Sequence, residues 1–140
     1  MEYTVVKAAV RKALGEVAEE VLATLFWRAE ELTLRAGEEI YQEGDEPDNT
    51  VVILVSGELS FFQGAELISQ VSEPVCFGEV GFFGAQKKRT ATVRVSSPQA
   101  AILRLQLDPD ELKAGALAEL GKILKARAWE TVVRDSKRHL

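Results

Sequence analysis

The stretch Phe77-Gly78-Glu79-Val80-Gly81-Phe82-Phe83 is followed, ten residues after its glutamate, by Arg89-Thr90-Ala91-Thr92. The two pieces place a glycine, one carboxylate, one guanidinium and one hydroxyl within a single short segment. Gly78 lets a ligand approach the backbone closely. An ionised Glu79 only accepts hydrogen bonds, which suits a sugar hydroxyl able to donate. Arg89 can neutralise a phosphate with a two-pronged contact that lysine cannot reproduce. Thr90 can donate to a phosphate oxygen or accept from a base amino group. Val80, Phe82, Phe83 and Ala91 supply apolar walls, which strengthen the arginine–phosphate attraction by excluding water. A helix N-terminus in this segment would add unpaired N–H groups and partial positive charge. The chemistry is that of holding a small ligand with one phosphate and a sugar hydroxyl.

The remaining residues offer little for catalysis. The chain of 140 residues carries one histidine, His139, and one cysteine, Cys76. A zinc enzyme needs several such ligands, and a serine hydrolase needs a positioned base. One cysteine forms no internal disulfide and holds no iron–sulfur cluster, so no cofactor is expected and the expected compartment is the cytoplasm. A net charge of -5 argues against a protein whose main task is neutralising nucleic-acid phosphates. No apolar run approaches the roughly 20 residues of a membrane helix, so no membrane partner is expected.

The elements that must position the segment form three blocks within one expected domain, 1–140. Residues 1–31 contain no proline and repeat Val6, Val10, Val17, Val21 and Leu25 at helical steps. This predicts an amphipathic helical region, broken near Gly15 and pinned to the body by Phe26 and Trp27. Residues 32–107 change character. The nearly continuous Val51-Val52-Ile53-Leu54-Val55 predicts a strand covered on both sides. Alternating runs at 58–62, 66–71, 90–95 and 100–107 predict further short strands, separated by Gly, Pro, Asn and Ser turn signals. The last block, 108–140, opens on Asp108-Pro109-Asp110-Glu111, which predicts a short helix to about Gly115. A second helix is predicted from about Leu117 to Lys137. The fold class is therefore mainly β with flanking helices.

At this point the chain resembles the cyclic nucleotide-binding domain family, which includes catabolite activator protein and protein kinase regulatory subunits. The family's phosphate-binding cassette reads Phe-Gly-Glu, apolar or small residues, a variable loop, then Arg, a small residue and Ala. Residues 77–82 and 89–91 are similar to it position by position, and Gly37, Gly44-Asp45 and Gly57 resemble its barrel turns. The resemblance covers about Leu25 to Leu107. It implies a double-stranded β-helix, a jelly-roll-like barrel, with cassette 77–92 and a C-terminal helical lid or dimer helix. It also implies a ligand, cAMP or cGMP, bound without catalysis by Phe77, Gly78, Glu79, Val80, Arg89, Thr90 and Ala91. In those roles Gly78 and the next N–H groups meet the cyclic phosphate, Glu79 the ribose 2′-hydroxyl and Arg89 the phosphate. Thr90 suits either base.

Trp129 and Thr131, on the last helix, are either base contacts or packing residues. The implied partners are an unknown effector protein and a second copy of the chain through the C-terminal helix. Direct DNA binding is not expected, because too few residues follow Leu107 for both a dimer helix and a helix-turn-helix unit. Two departures stand out: Glu73-Pro74-Val75-Cys76 replaces the family's Gly-Asp turn, and the turn at 63–65 is short. The competing reading is an assembly module, in which Glu79 and Arg89 form an ion pair bracing an empty barrel.

Overall fold

A computed structural model describes residues 1–78 and 88–127. Two helices lead the chain, α1 (Tyr3–Leu14) and α2 (Glu19–Arg28). Gly15 ends α1 with φ +85° and donates its N–H to the Arg11 carbonyl at 2.8 Å. Glu19 and Glu20 sit in the first turn of α2, where the helix dipole favours negative charge.

Eight strands follow: β1 (Glu30–Arg35), β2 (Glu39–Tyr41), β3 (Thr50–Ser56), β4 (Leu59–Gln63), β5 (Glu66–Val71), β6 (Cys76–Phe77), β7 (Thr92–Val95) and β8 (Gln99–Gln106). They form two four-stranded sheets, ordered β1-β8-β3-β6 and β2-β7-β4-β5, with every pairing antiparallel. The architecture is a jelly-roll-like β sandwich with flanking helices.

Strand β3 shows why the valine-rich run is continuous. Val52 and Leu54 point between the sheets, where they pack with Leu59, Phe77, Val93, Val95, Ala100 and Ile102. Val51 and Ile53 point the other way, into a second cluster with Val10, Leu22, Leu25, Leu120 and Leu124 of the helices. Both faces are covered, so no polar residue is needed to alternate with the apolar ones. The β3–β4 turn relies on Gly57, with φ +98°, where a Cβ would lie 2.6 Å from the Ala100 Cα.

Two details differ from the sequence expectations. Trp27 does not pin the helices; it is 83% exposed, and that task falls to half-buried Phe26, whose ring meets Tyr3 edge-on at 5.1 Å. No helix forms over 108–115. Asp108 instead accepts the Asp110 N–H with its side chain at 2.9 Å and the Glu111 N–H with its carbonyl at 3.0 Å. The signals of a helix start are thus spent on a local turn. A 3-10 turn, Gly115–Leu117, then leads into a helix described over residues 118–127 (α3). The 73–76 segment before the cassette, which departs from the family's turn, is paired with β3: Val75 O accepts the Leu54 N–H at 2.9 Å, and Cys76 and Phe77 pair with Ile53 and Val52. Among the described residues no helix is long and apolar enough to cross a membrane.

Candidate functional site

Among the described residues the buried polar or charged side chains are Thr50, Ser60 and Arg89. A guanidinium only 6% exposed must have its charge and donors satisfied, or burial would cost several kcal/mol (on the order of 3–5 for a buried charge left without its partner). The barrel meets this requirement from several elements at once.

The backbone of Arg89 is fixed first. Its N–H donates to the Asp45 carbonyl at 2.7 Å, and its carbonyl accepts the Gly44 N–H at 2.9 Å. The Gly44-Asp45 turn thus grips Arg89 from both sides. The side chain is fixed next. Nη2 donates to Asp48 Oδ1 at 2.8 Å and lies 3.3 Å from the Thr50 carbonyl, while Nη1 donates to the Gly78 carbonyl at 3.0 Å. The Tyr41 ring covers one face of the guanidinium, with its centroid 3.7 Å from Cζ.

Asp48 is itself held, since its carboxylate accepts both the Thr50 N–H and the Thr50 hydroxyl. Partial burial pushes its pKa upward, but the Thr50 hydrogen bond and the Arg89 charge outweigh this and leave the carboxyl below its ordinary value. Burial pushes the Tyr41 phenol up to about 12.

Gly78 completes the cluster, with φ +99°. A Cβ there would lie 2.8 Å from the Tyr41 hydroxyl and 3.2 Å from Arg89 Nη1. Only glycine combines this backbone conformation with that approach. Phe77 is buried beside it, edge-on to Tyr41 at 5.9 Å and to Phe61 at 5.3 Å.

Phe77, Gly78 and Arg89, chosen from the sequence, are therefore brought together. Thr90 and Ala91 follow Arg89 directly and are half-buried; the Thr90 carbonyl accepts from Gln63 Nε2 at 3.3 Å. Glu79, Val80, Trp129 and Thr131 lie outside the described residues. The described ion-pair partner of Arg89 is Asp48, one of three residues the sequence reading passed over, with Tyr41 and Thr50. Asp48 lies in an acid-rich turn whose composition does not say which carboxylate turns inward. No group of three His, Cys, Asp or Glu side chains that could hold a metal ion occurs among the described residues.

A further contact ties this region to the C-terminal helix. Arg127 of α3 donates to the Cys76 carbonyl at 2.8 Å and to the Ala13 carbonyl, at the end of α1, at 3.2 Å. One side chain thus joins α3 and α1 to the strand that enters the cassette.

Comparison with known proteins fits this geometry. Residues 31–109 match the family model for the cyclic nucleotide-binding domain. The chain belongs to the cyclic nucleotide-binding domain family. It is similar to the Pycsar effector protein RsmPycTIR of Rhodovulum sp. (strain MB263), with 33% identity over 91 residues. That match covers 63% of this chain and 35% of the relative, so the chain spans about a third of its length. Among solved structures it resembles the regulatory domain of Toxoplasma gondii PKA, solved with cAMP, with a TM-score of 0.69 at 22% identity, covering 91% of this chain and 46% of that one. It also resembles a putative cyclic nucleotide-binding protein from Geobacter metallireducens GS-15, with a TM-score of 0.70 at 16% identity over 91% and 94% of the two chains. At these identities the solved structures speak for the fold.

Proposed function

We propose that this domain is a non-catalytic sensor of a cyclic nucleotide, cAMP or cGMP, and that Arg89 receives the cyclic phosphate. The observation that carries this reading is the buried, pre-positioned Arg89 next to Gly78. Holding a guanidinium in a barrel interior requires four partner groups, and an anion-binding role explains why such an arrangement exists. In this reading the backbone from Gly78 onward meets the phosphate and Glu79 accepts from the ribose 2′-hydroxyl. Phe77, Val80 and Ala91 line the pocket, and Thr90 lies beside the phosphate or base. Trp129 and Thr131 would approach the base from the last helix.

The response would be a shift between two arrangements of the 77–92 cassette and the C-terminal helix. Arg127 supports that coupling, because any displacement of the Cys76 backbone is felt by α3 through one side chain. The output would then be an effector, in a partner or in an attached region, or a homodimer through the C-terminal helix. That one relative bears the name of an effector protein is consistent with this output.

Calorimetric titration with cAMP, cGMP and the corresponding 5′-monophosphates tests the proposal. Micromolar binding of a cyclic nucleotide, with much weaker binding of the open monophosphate, is expected. No heat with any cyclic nucleotide would favour a fold-retaining assembly module instead.

A further inference from the structure

We propose that Tyr41 is a positioning residue that fixes the Arg89 guanidinium for an anionic ligand, through its ring rather than its hydroxyl. The inference rests on the proposed sensor function, and it assigns a specific task to a residue outside the cassette.

A guanidinium is planar, with two faces and an edge of donors. Along the edge of Arg89, Nη2 donates to Asp48 and Thr50 and Nη1 donates to Gly78, three of its five donors. Those contacts set where its nitrogens lie, but hydrogen bonds along an edge leave the plane free to rock. The Tyr41 ring, 3.7 Å from Cζ, removes that freedom, and its negative π face attracts the cation without adding a competing anion.

The ring is in turn held at three points. Its hydroxyl lies 3.1 Å from the Thr50 carbonyl and 2.9 Å from Thr50 Oγ1, and its edge packs on Phe77. The missing Cβ of Gly78 leaves the space that the hydroxyl occupies. Tyr41, Thr50 and Gly78 therefore act as one support for one side chain. A phenol is uncharged at neutral pH, so the attraction of Tyr41 for Arg89 is that of a π face and not of a phenolate.

A purely space-filling Tyr41 predicts different behaviour from a positioning one, and a double-mutant cycle in the full chain separates them. Tyr41→Phe keeps the ring and should bind the cyclic nucleotide within about threefold of wild type, whereas Tyr41→Leu should weaken binding about tenfold. In an Arg89→Lys background, where no planar group remains to stack, Tyr41→Leu should change affinity less than about twofold. Melting temperatures check folding, and Tyr41→Met replaces Tyr41→Leu if the latter loses its transition. An equal loss in both arginine and lysine backgrounds, or no loss with Tyr41→Leu, overturns the proposal.

A ligand-free readout keeps this test apart from the sensor proposal. The ring current of Tyr41 should displace the Arg89 side-chain proton resonances upfield in wild type and Tyr41→Phe, and not in Tyr41→Leu. If the wild type binds no cyclic nucleotide, the sensor proposal fails, and the resonances alone decide whether Tyr41 fixes Arg89. An upfield position that survives in Tyr41→Leu would refute the assignment.

Discussion

The helix-facing side of β3 and the N-terminal end of the same strand obey different rules. On the helix-facing side Val51 and Ile53 meet Val10, Leu22, Leu25 and Leu124, an apolar contact in which any close-packing set of side chains serves. At the N-terminal end, Thr50 sits with Asp48, Tyr41, Gly78 and Arg89, joined by directional hydrogen bonds and a ring–guanidinium contact that a side chain of equal volume does not reproduce. Packing makes the scaffold, and the polar cluster holds Arg89, to which the proposed function assigns recognition. The contrast teaches that stability and ligand recognition should respond to different substitutions.

The largest stability effect should come from the helix-facing side. Leu25→Ala, at a fully buried site, is expected to cost about 2–5 kcal/mol in denaturant unfolding. Affinity of the folded fraction should change less than about twofold, and a parallel collapse of affinity would break the contrast.

Gly78→Ala should affect both properties. The new Cβ meets the Tyr41 hydroxyl and Arg89 Nη1 at a backbone conformation that alanine avoids. A stability cost of about 1–3 kcal/mol is expected together with loss of most ligand affinity, read by thermal unfolding and calorimetry.

A smaller effect is expected from pH. The folded pKa of Asp48 lies below its ordinary value, so its contribution is present above the unfolded value of about 3.9 and is lost as pH falls through the lower folded value. Stability should therefore drop more steeply below about pH 4 in wild type than in Asp48→Asn, and identical acid profiles would remove Asp48 from the cluster's energetics. Trp27→Ala, at an 83% exposed side chain, should shift stability by no more than about 0.5 kcal/mol.

The same contrast explains what could be read from the sequence. The doubly covered β3 left a continuous apolar run and β8 an alternating one, and the cassette residues Phe77, Gly78 and Arg89 were legible from their types and spacing. Tyr41 was not, because β2 is three residues long, too short for a pattern. Asp48 was not, because its role depends on a long-range approach to Arg89 that local composition does not encode. The acids at 108–111 read as a helix cap but fold as a turn, since Asp108 satisfies Asp110 and Glu111 locally. Trp27 read as a tether because its size predicts burial; in the structure half-buried Phe26, one position earlier, packs against the core instead.

The central claim is that a buried, pre-positioned Arg89 makes this barrel an anion-dependent cyclic nucleotide site. It is tested most directly by titrating wild type and Arg89→Ala with the same cyclic nucleotide, after thermal unfolding has shown that both are folded. Micromolar binding by wild type and at least a 100-fold loss in Arg89→Ala, about 2.7 kcal/mol, are predicted. Equal affinities in the two proteins would contradict the account.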